Sequence, residues 1–221
     1  MTYNVIGSIF QDDKIYKYDG FSSTILTSIA TPAEDCYDIG QRNDNVLSID
    51  YVTDKVYELD GFTTTILNSV ATTELTNTGV TWDGSNLIEM NVQTARCTKA
   101  SGFSNTISAS FTAPATNHYA VGWDGTNALS TKAAGAPPIV YQYTGFTSSI
   151  KSQFNAADST VRGIDMDGTN VLVGVSGKVE KHVGFTSTIS NCFSTGANTA
   201  YIIWSDLGAA IIARMLLGVG V

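Results

Sequence analysis

The chain has 221 residues, 43% hydrophobic and 14% charged, with 20 Gly and 10 Tyr, a mix that strands and turns use and long helices avoid. Twelve Lys and Arg against twenty Asp and Glu leave a net charge of −8, so no basic stripe exists for nucleic-acid phosphates or for an anionic lipid surface.

In chain order, "NVIGSIF" at 4–10 is the first expected strand, and "GFSSTI" at 20–25 the first marked corner. The corner returns as "GFTTTI" at 61, "GFSNTI" at 102, "GFTSSI" at 145 and "GFTSTI" at 184. Between the corners runs a second marker ending in Asn: "RNDN" at 42–45, "WDGSN" at 82–86, "WDGTN" at 123–127 and "MDGTN" at 166–170. From each of the first four Phe residues to the next Asn is always 24 residues (21 to 45, 62 to 86, 103 to 127, 146 to 170). From Asn to the following Phe the length varies, being 17 from Asn4, Asn45 and Asn86, 19 from Asn127 and 15 from Asn170. Length variation confined to one place in a repeat marks a surface hairpin tip. The longest version holds "AAGAPPI" at 133–139, where Pro137 and Pro138 cannot enter a central strand.

A period near 40 is the mark of a repeat architecture. The clearest unit reads as four strands: "TGVTW" at 78–82, a turn at Asp83-Gly84, "NLIEMNV" at 86–92, "RCTKASGF", then "TISASFTAP" at 106–114. Four short antiparallel strands per repeat make one propeller blade. The first copy lacks an inner strand and the last copy starts a new one, "NTAYIIW" at 198–204. The expectation is therefore an all-β, five-bladed β-propeller over 1–206, closed by pairing of the N-terminal strands with the C-terminal inner strand. A separate apolar tail spans 207–221.

The "WDGTN" and "GF(S/T)xxI" markers resemble the short propeller repeats of viral and phage structural proteins and of bacterial surface proteins, of the NHL-like and YncE-like kind. The five-blade count and Trp-Asp turns are more distantly similar to the tachylectin-type lectins. The resemblance implies the fold directly and, as an expectation, a structural or sugar-binding role.

Candidates for chemistry are few. His118, expected in a loop between blades, and His182, in a strand, have no repeat partner and read as ordinary surface or satisfied residues. No Ser or Thr sits in a nucleophile elbow. Asp83, Asp124 and Asp167 could imitate paired glycosidase carboxylates, but as first residues of successive Asp-Gly turns they read as structural. "DMDGTN" at 165–170 resembles part of a calcium loop, yet its twelfth position is Ser176 rather than Glu, so no metal is expected there. Cys36, Cys97 and Cys192 lie far apart without metal spacing and read as buried free thiols. No cofactor is expected.

The residue before each turn is large: Gln41, Trp82, Trp123, Met166 and, one residue early by the count from Phe185, Trp204. Such side chains either wedge blades apart or reach the rim. In the second case Trp82, Asp83, Asn86, Trp123, Asp124, Asn127 and Trp204 would suit sugars, whose apolar faces stack on indole while their hydroxyls bond to polar groups. The tail "LGAAIIARMLLGVGV" carries only Arg214 as a charge and is too short for a membrane span. It either replaces the N-terminal strand, packs over the ring, or leaves to join a neighbour through Ile211, Ile212, Met215, Leu216 and Leu217. "MTYNVIGSIF" holds no recognisable secretion signal. The expected function is a non-enzymatic structural and binding propeller, a virion or surface-appendage component (otherwise cytoplasmic) that associates with itself or another structural protein and touches glycans at its rim. A soluble multivalent lectin is the alternative, and a propeller glycoside hydrolase the least favoured reading.

Overall fold

The computed structural model describes residues 4–9, 12–133, 137–157 and 160–195, together with the backbone of 201–205. Among the described residues, alternating hydrophobicity broken by Gly-containing turns gives twenty short strands and no helix long and apolar enough to cross a membrane. They group into five four-stranded antiparallel sheets. The first sheet holds β1 (Asn4–Ile9), β2 (Lys14–Tyr18) and β3 (Ile25–Ala30). The second is β4 (Cys36–Arg42), β5 (Asn45–Asp50), β6 (Lys55–Leu59) and β7 (Ile66–Ala71). The third is β8 (Asn77–Trp82), β9 (Leu87–Asn91), β10 (Arg96–Ala100) and β11 (Ile107–Thr112). The fourth is β12 (His118–Trp123), β13 (Ala128–Lys132), β14 (Ile139–Tyr143) and β15 (Ile150–Asn155), and the fifth β16 (Val161–Met166), β17 (Val171–Val175), β18 (Lys178–His182) and β19 (Ile189–Ser194).

The first sheet takes its inner strand from the far end of the chain. β20 (Tyr201–Ser205) pairs antiparallel with β1, giving the order β20-β1-β2-β3. The ring is therefore closed as expected. Because β1 is bonded to both β20 and β2, the slot is filled and the alternative in which the tail displaces the N-terminal strand is overturned.

The inner strands β4, β8, β12, β16 and β20 touch in succession around the axis. Their approach is close enough to select residue size: a Cβ on Gly79 would stand 2.8 Å from the Val121 nitrogen of the next blade. The core is distributed, one apolar cluster per blade interface. Ile6 and Ile15 meet Ile39, Val46 and Leu59 in one, and Leu47, Ile49 and Val56 meet Val80 and Leu87 in the next. The same arrangement recurs around the ring.

The repeated corner is the anchor of each cluster. All five corner glycines hold φ between 55° and 63°, a region costly for any residue with a Cβ. The corner Phe then turns into the interface with the preceding blade. Phe21, Phe146 and Phe185 meet Phe193, Phe111 and Phe154 of that blade edge-to-face at 4.9–5.2 Å. Phe62 and Phe103 face clusters that include Ile29 and Val70 instead. The hydroxyls close the bend. Ser22 donates to the Asp19 carbonyl and accepts from the Thr24 amide, and Thr63, Ser104, Thr147 and Thr186 repeat both bonds.

The candidate axial pocket

The two sequence markers touch each other. The Asn side-chain oxygen of each blade accepts from the amide of its corner glycine: Asn4 from Gly20, Asn45 from Gly61, Asn86 from Gly102, Asn127 from Gly145 and Asn170 from Gly184, at 2.9–3.4 Å. In the Asp-Gly turns the Asn amide also donates back to Asp83, Asp124 or Asp167. Those aspartates also accept from the backbone amides two and three residues further on. A partner on the third strand completes each knot: Lys99 to Asp83 at 2.7 Å, Gln142 to Asp124 at 2.6 Å, Lys181 to Asp167 at 2.5 Å. Burial pushes these three carboxyls up, but the hydrogen bonds outweigh it and hold all three below the usual Asp range. In the second blade the pair is reversed in sign, Arg42 taking the Asp place and Glu58 the Lys place at 2.5 Å.

Asp83, Asn86, Asp124 and Asn127 are thus all bound into the scaffold. The Trp series behaves differently. Gln41 pairs across the ladder with Val46, Trp82 with Leu87, Trp123 with Ala128, Met166 with Val171 and Trp204 with Val5, in each case the residue after the marker Asn. Trp204 therefore holds the same place as the others although it comes one residue early by chain count; the difference falls before Tyr201. Its side chain lies outside the described residues.

These places converge on the axis. A cavity of about 320 Å³ at the channel mouth is lined by Gln41, Asn43, Thr81, Trp82, Gly84, Trp123, Asp165 and Met166. Both readings of the Trp residues hold together. Trp82 and Trp123 are half-buried against the interface clusters, and each also presents surface to the pocket. Arg42 stands 4.8 Å over Trp82, and Lys99 stands 5.0 Å over Trp123, so a cation of the preceding blade covers one face of each indole. Each of those cations is neutralised by its own carboxylate, Glu58 or Asp83.

The other lining residues carry a fainter sequence mark. Thr81 and Asp165 stand one place before the Trp series, opposite Ile88 and Leu172, where Gly40 and Gly122 stand in other blades. The strand period would have placed this slot beside the series; the turn motif drew attention to Asp167 instead. Deeper on the axis lies Asp38, 1% exposed, whose Oδ2 accepts from the Val80 amide at 3.0 Å. Burial drives its carboxyl well above the usual range, against backbone hydrogen bonds that favour the charge and with the nearby Asp165 adding to the rise.

Two expectations need correction, the loop placement of His118 and the burial of Cys192, while His182 lies in a strand as expected. His118 is not in a loop: it opens β12, fully buried, with Nδ1 2.8 Å from the Ser130 hydroxyl. Burial, helped by Lys132, lowers it to about 4, so it is a neutral core residue at pH 7. His182 is likewise buried, within β18, its Nδ1 3.0 Å from the Thr186 carbonyl oxygen. Of the thiols, Cys36 and Cys97 are buried but Cys192 is exposed on the outer strand β19. Among the described residues no cluster of His, Cys, Asp and Glu could hold a metal ion. The tail residues Ile211, Ile212, Met215, Leu216 and Leu217 lie outside the described residues.

Comparison with protein families and with curated proteins finds no match. Solved structures do match in shape. The chain is similar to a glutaminyl cyclase from Myxococcus xanthus, with a TM-score of 0.60 at 8% identity over 84% of this chain and 75% of that one. It is also similar to the computationally designed protein Ika8, with a TM-score of 0.50 at 11% identity, covering 93% of this chain and 64% of that one. At such identities the likeness is one of fold.

Proposed function

We propose that the protein is a non-enzymatic binding propeller whose axial pocket takes a carbohydrate unit. The observation that carries this reading is the convergence of one repeated strand position, occupied by Gln41, Trp82, Trp123 and Met166, on a single polar and aromatic pocket. Indole walls suit the apolar face of a pyranose, while the Gln41, Asn43 and Thr81 side chains offer donors and acceptors to its hydroxyls. A pocket on the axis takes one ligand per ring, in contrast to a lectin with a site in every blade.

The non-enzymatic part is supported by the engagement of Asp83, Asp124 and Asp167 in turn knots, which leaves them lowered carboxylates rather than a matched acid and base. We place the ring in a virion or surface appendage, joined to copies of itself or to another structural protein through 207–221; the apolar composition of that segment and the repeat resemblance support this.

Calorimetric titration against a panel of mono- and disaccharides tests the binding role. One site per chain is expected, with Trp82→Ala and Trp123→Ala each weakening binding by about tenfold or more. Silence across the panel, or binding indifferent to both substitutions, overturns it. Light scattering on the full chain tests the assembly role, a monomer being the contrary result.

A further inference from the structure

The walls of the axial pocket differ around its circumference. The inner strands touch in the order β4, β8, β12, β16 and β20, which sets the lining residues around the ring. Trp82, Trp123 and Met166 come from β8, β12 and β16, three neighbours in that order, and form one apolar arc. Gln41 and Asn43 come from β4 and the turn after it, across the ring from β12 and β16. Gln41 donates to the Asn43 carbonyl at 2.8 Å, which holds the amide side in place.

We infer that the axial pocket selects a 6-deoxy sugar, a pyranose whose exocyclic carbon is a methyl group; this rests on the carbohydrate reading above. Met166 takes the ladder place that an indole takes in the two blades before it. A thioether chain is narrower and more adaptable than an indole. The arc therefore has room at Met166 for a group that projects from a sugar ring lying against an indole. Met166 and Trp123 are each packed against an interface cluster, so the wall they present is anchored. A methyl group meets apolar surface there, while the hydroxyls of the far edge of the ring meet Gln41 and Asn43. A hydroxymethyl in the same place would exchange water for a thioether and an indole, and a hydroxyl buried without a partner is costly.

The remaining lining residues do not change this choice. Asp165 precedes Met166 in β16 and pairs with Leu172 where Met166 pairs with Val171. Successive residues of a strand project to opposite faces, so Asp165 does not share the Met166 wall, and its carboxylate is already engaged within the protein. No Lys or Arg lines the pocket, and Arg162 of the same strand stands over the Tyr119 ring at 4.1 Å. Shape and polarity rather than charge thus set the selection, which favours a neutral sugar. At about 320 Å³ the site lies near the lower end of the roughly 300–1,000 Å³ usual for ligand pockets, which suits one ring without a bulky substituent such as an N-acetyl group.

The test is a calorimetric titration of the full chain with three matched pairs: 6-deoxyglucose against glucose, L-fucose against L-galactose, and L-rhamnose against L-mannose, with N-acetylglucosamine alongside. In at least one pair the deoxy sugar should bind about tenfold more tightly, a margin that apolar pockets reach against one added hydroxyl. Met166→Gln should close that margin and Met166→Leu should keep it, whereas a purely structural loss would weaken both members of a pair alike. If Met166→Gln disturbs folding, the pairs on the unaltered protein and on Met166→Leu still decide. Equal binding within every pair, or N-acetylglucosamine binding more tightly than every deoxy sugar, overturns the inference and leaves the carbohydrate reading standing. A margin that a folded Met166→Gln leaves intact overturns it in the same way. Silence of all the sugars overturns both.

Discussion

Asp38 and the Arg42–Glu58 pair show how single residues carry this fold beyond the repeat. Asp38 occupies a ladder place that Gly79, Ala120 and Gly163 take in other blades, and it alone of these sends a carboxyl across to the next inner strand. Its folded pKa is raised above the ordinary 3.8. A carboxyl raised on folding contributes most below its unfolded value and loses that contribution as pH climbs toward the folded value. The stability difference between the parent and Asp38→Asn should therefore shrink from pH 4 upward, read by urea denaturation across the range. A difference that stays constant or grows removes this account. The reversed pair makes a second prediction. Glu58 has a side chain only 3% exposed, and it receives Asn45 and Asn68 as well as Arg42. Glu58→Lys sets two cations together and should cost about 2–4 kcal/mol. Adding Arg42→Asp rebuilds the arrangement of Asp83 with Lys99 and should recover most of the loss. Thermal unfolding of the two variants gives the answer, and a double variant no better than the single one refutes the equivalence of the sites.

At the scale of the element, the corner and the hairpin turn form one device. The Asn to Gly bond spans 16 residues in three blades, 18 in the fourth and 14 in the fifth, so it closes the base of the hairpin whose tip changes length. This is why insertions at the tip leave the blade intact. The Phe beside each glycine then fixes the blade to its predecessor. Phe146 meets Phe111 at 5.0 Å and the Lys99 ammonium at 4.6 Å. Since it is half-buried rather than enclosed, Phe146→Ala should cost about 2–4 kcal/mol, toward the lower part of the range for buried aromatics. Denaturant unfolding measures it, and a loss under half a kilocalorie would show that the corner aromatic is ornamental. The markers, their period and the four-strand unit were all legible in the chain, because glycine corners and Asp-Gly turns are local requirements. The bond between the markers was not, since it depends on register across strands. The same holds for Trp204, whose place follows from pairing with Val5 and not from counting, and for His118, which packs against Ser130 and Tyr141 of the strands that follow it in its own blade.

For the whole molecule the decisive event is closure. β1 enters the ring with Val5 and Ile6 fully buried, and its inner edge is covered by a strand almost two hundred residues later in the chain. Until β20 arrives, that edge presents unpaired amides and carbonyls, and two neighbouring inner strands, β16 and β4, lack a wall. Ring closure is thus a long-range contact that the other blades must wait for, and it should make unfolding a single cooperative event. Two truncations separate closure from whatever the tail does. Removing 207–221 leaves β20 in place, and the product should keep the parent's cooperative thermal transition while running as a monomer by light scattering. Removing 197–221 takes β20 away, and should give a broadened transition at lower temperature and a tendency to associate through the bared edge of β1. If the shorter deletion alone abolishes folding, the tail belongs to the core rather than to an assembly surface. If the longer one still melts as a single sharp step, closure by β20 is not what makes the ring cooperative.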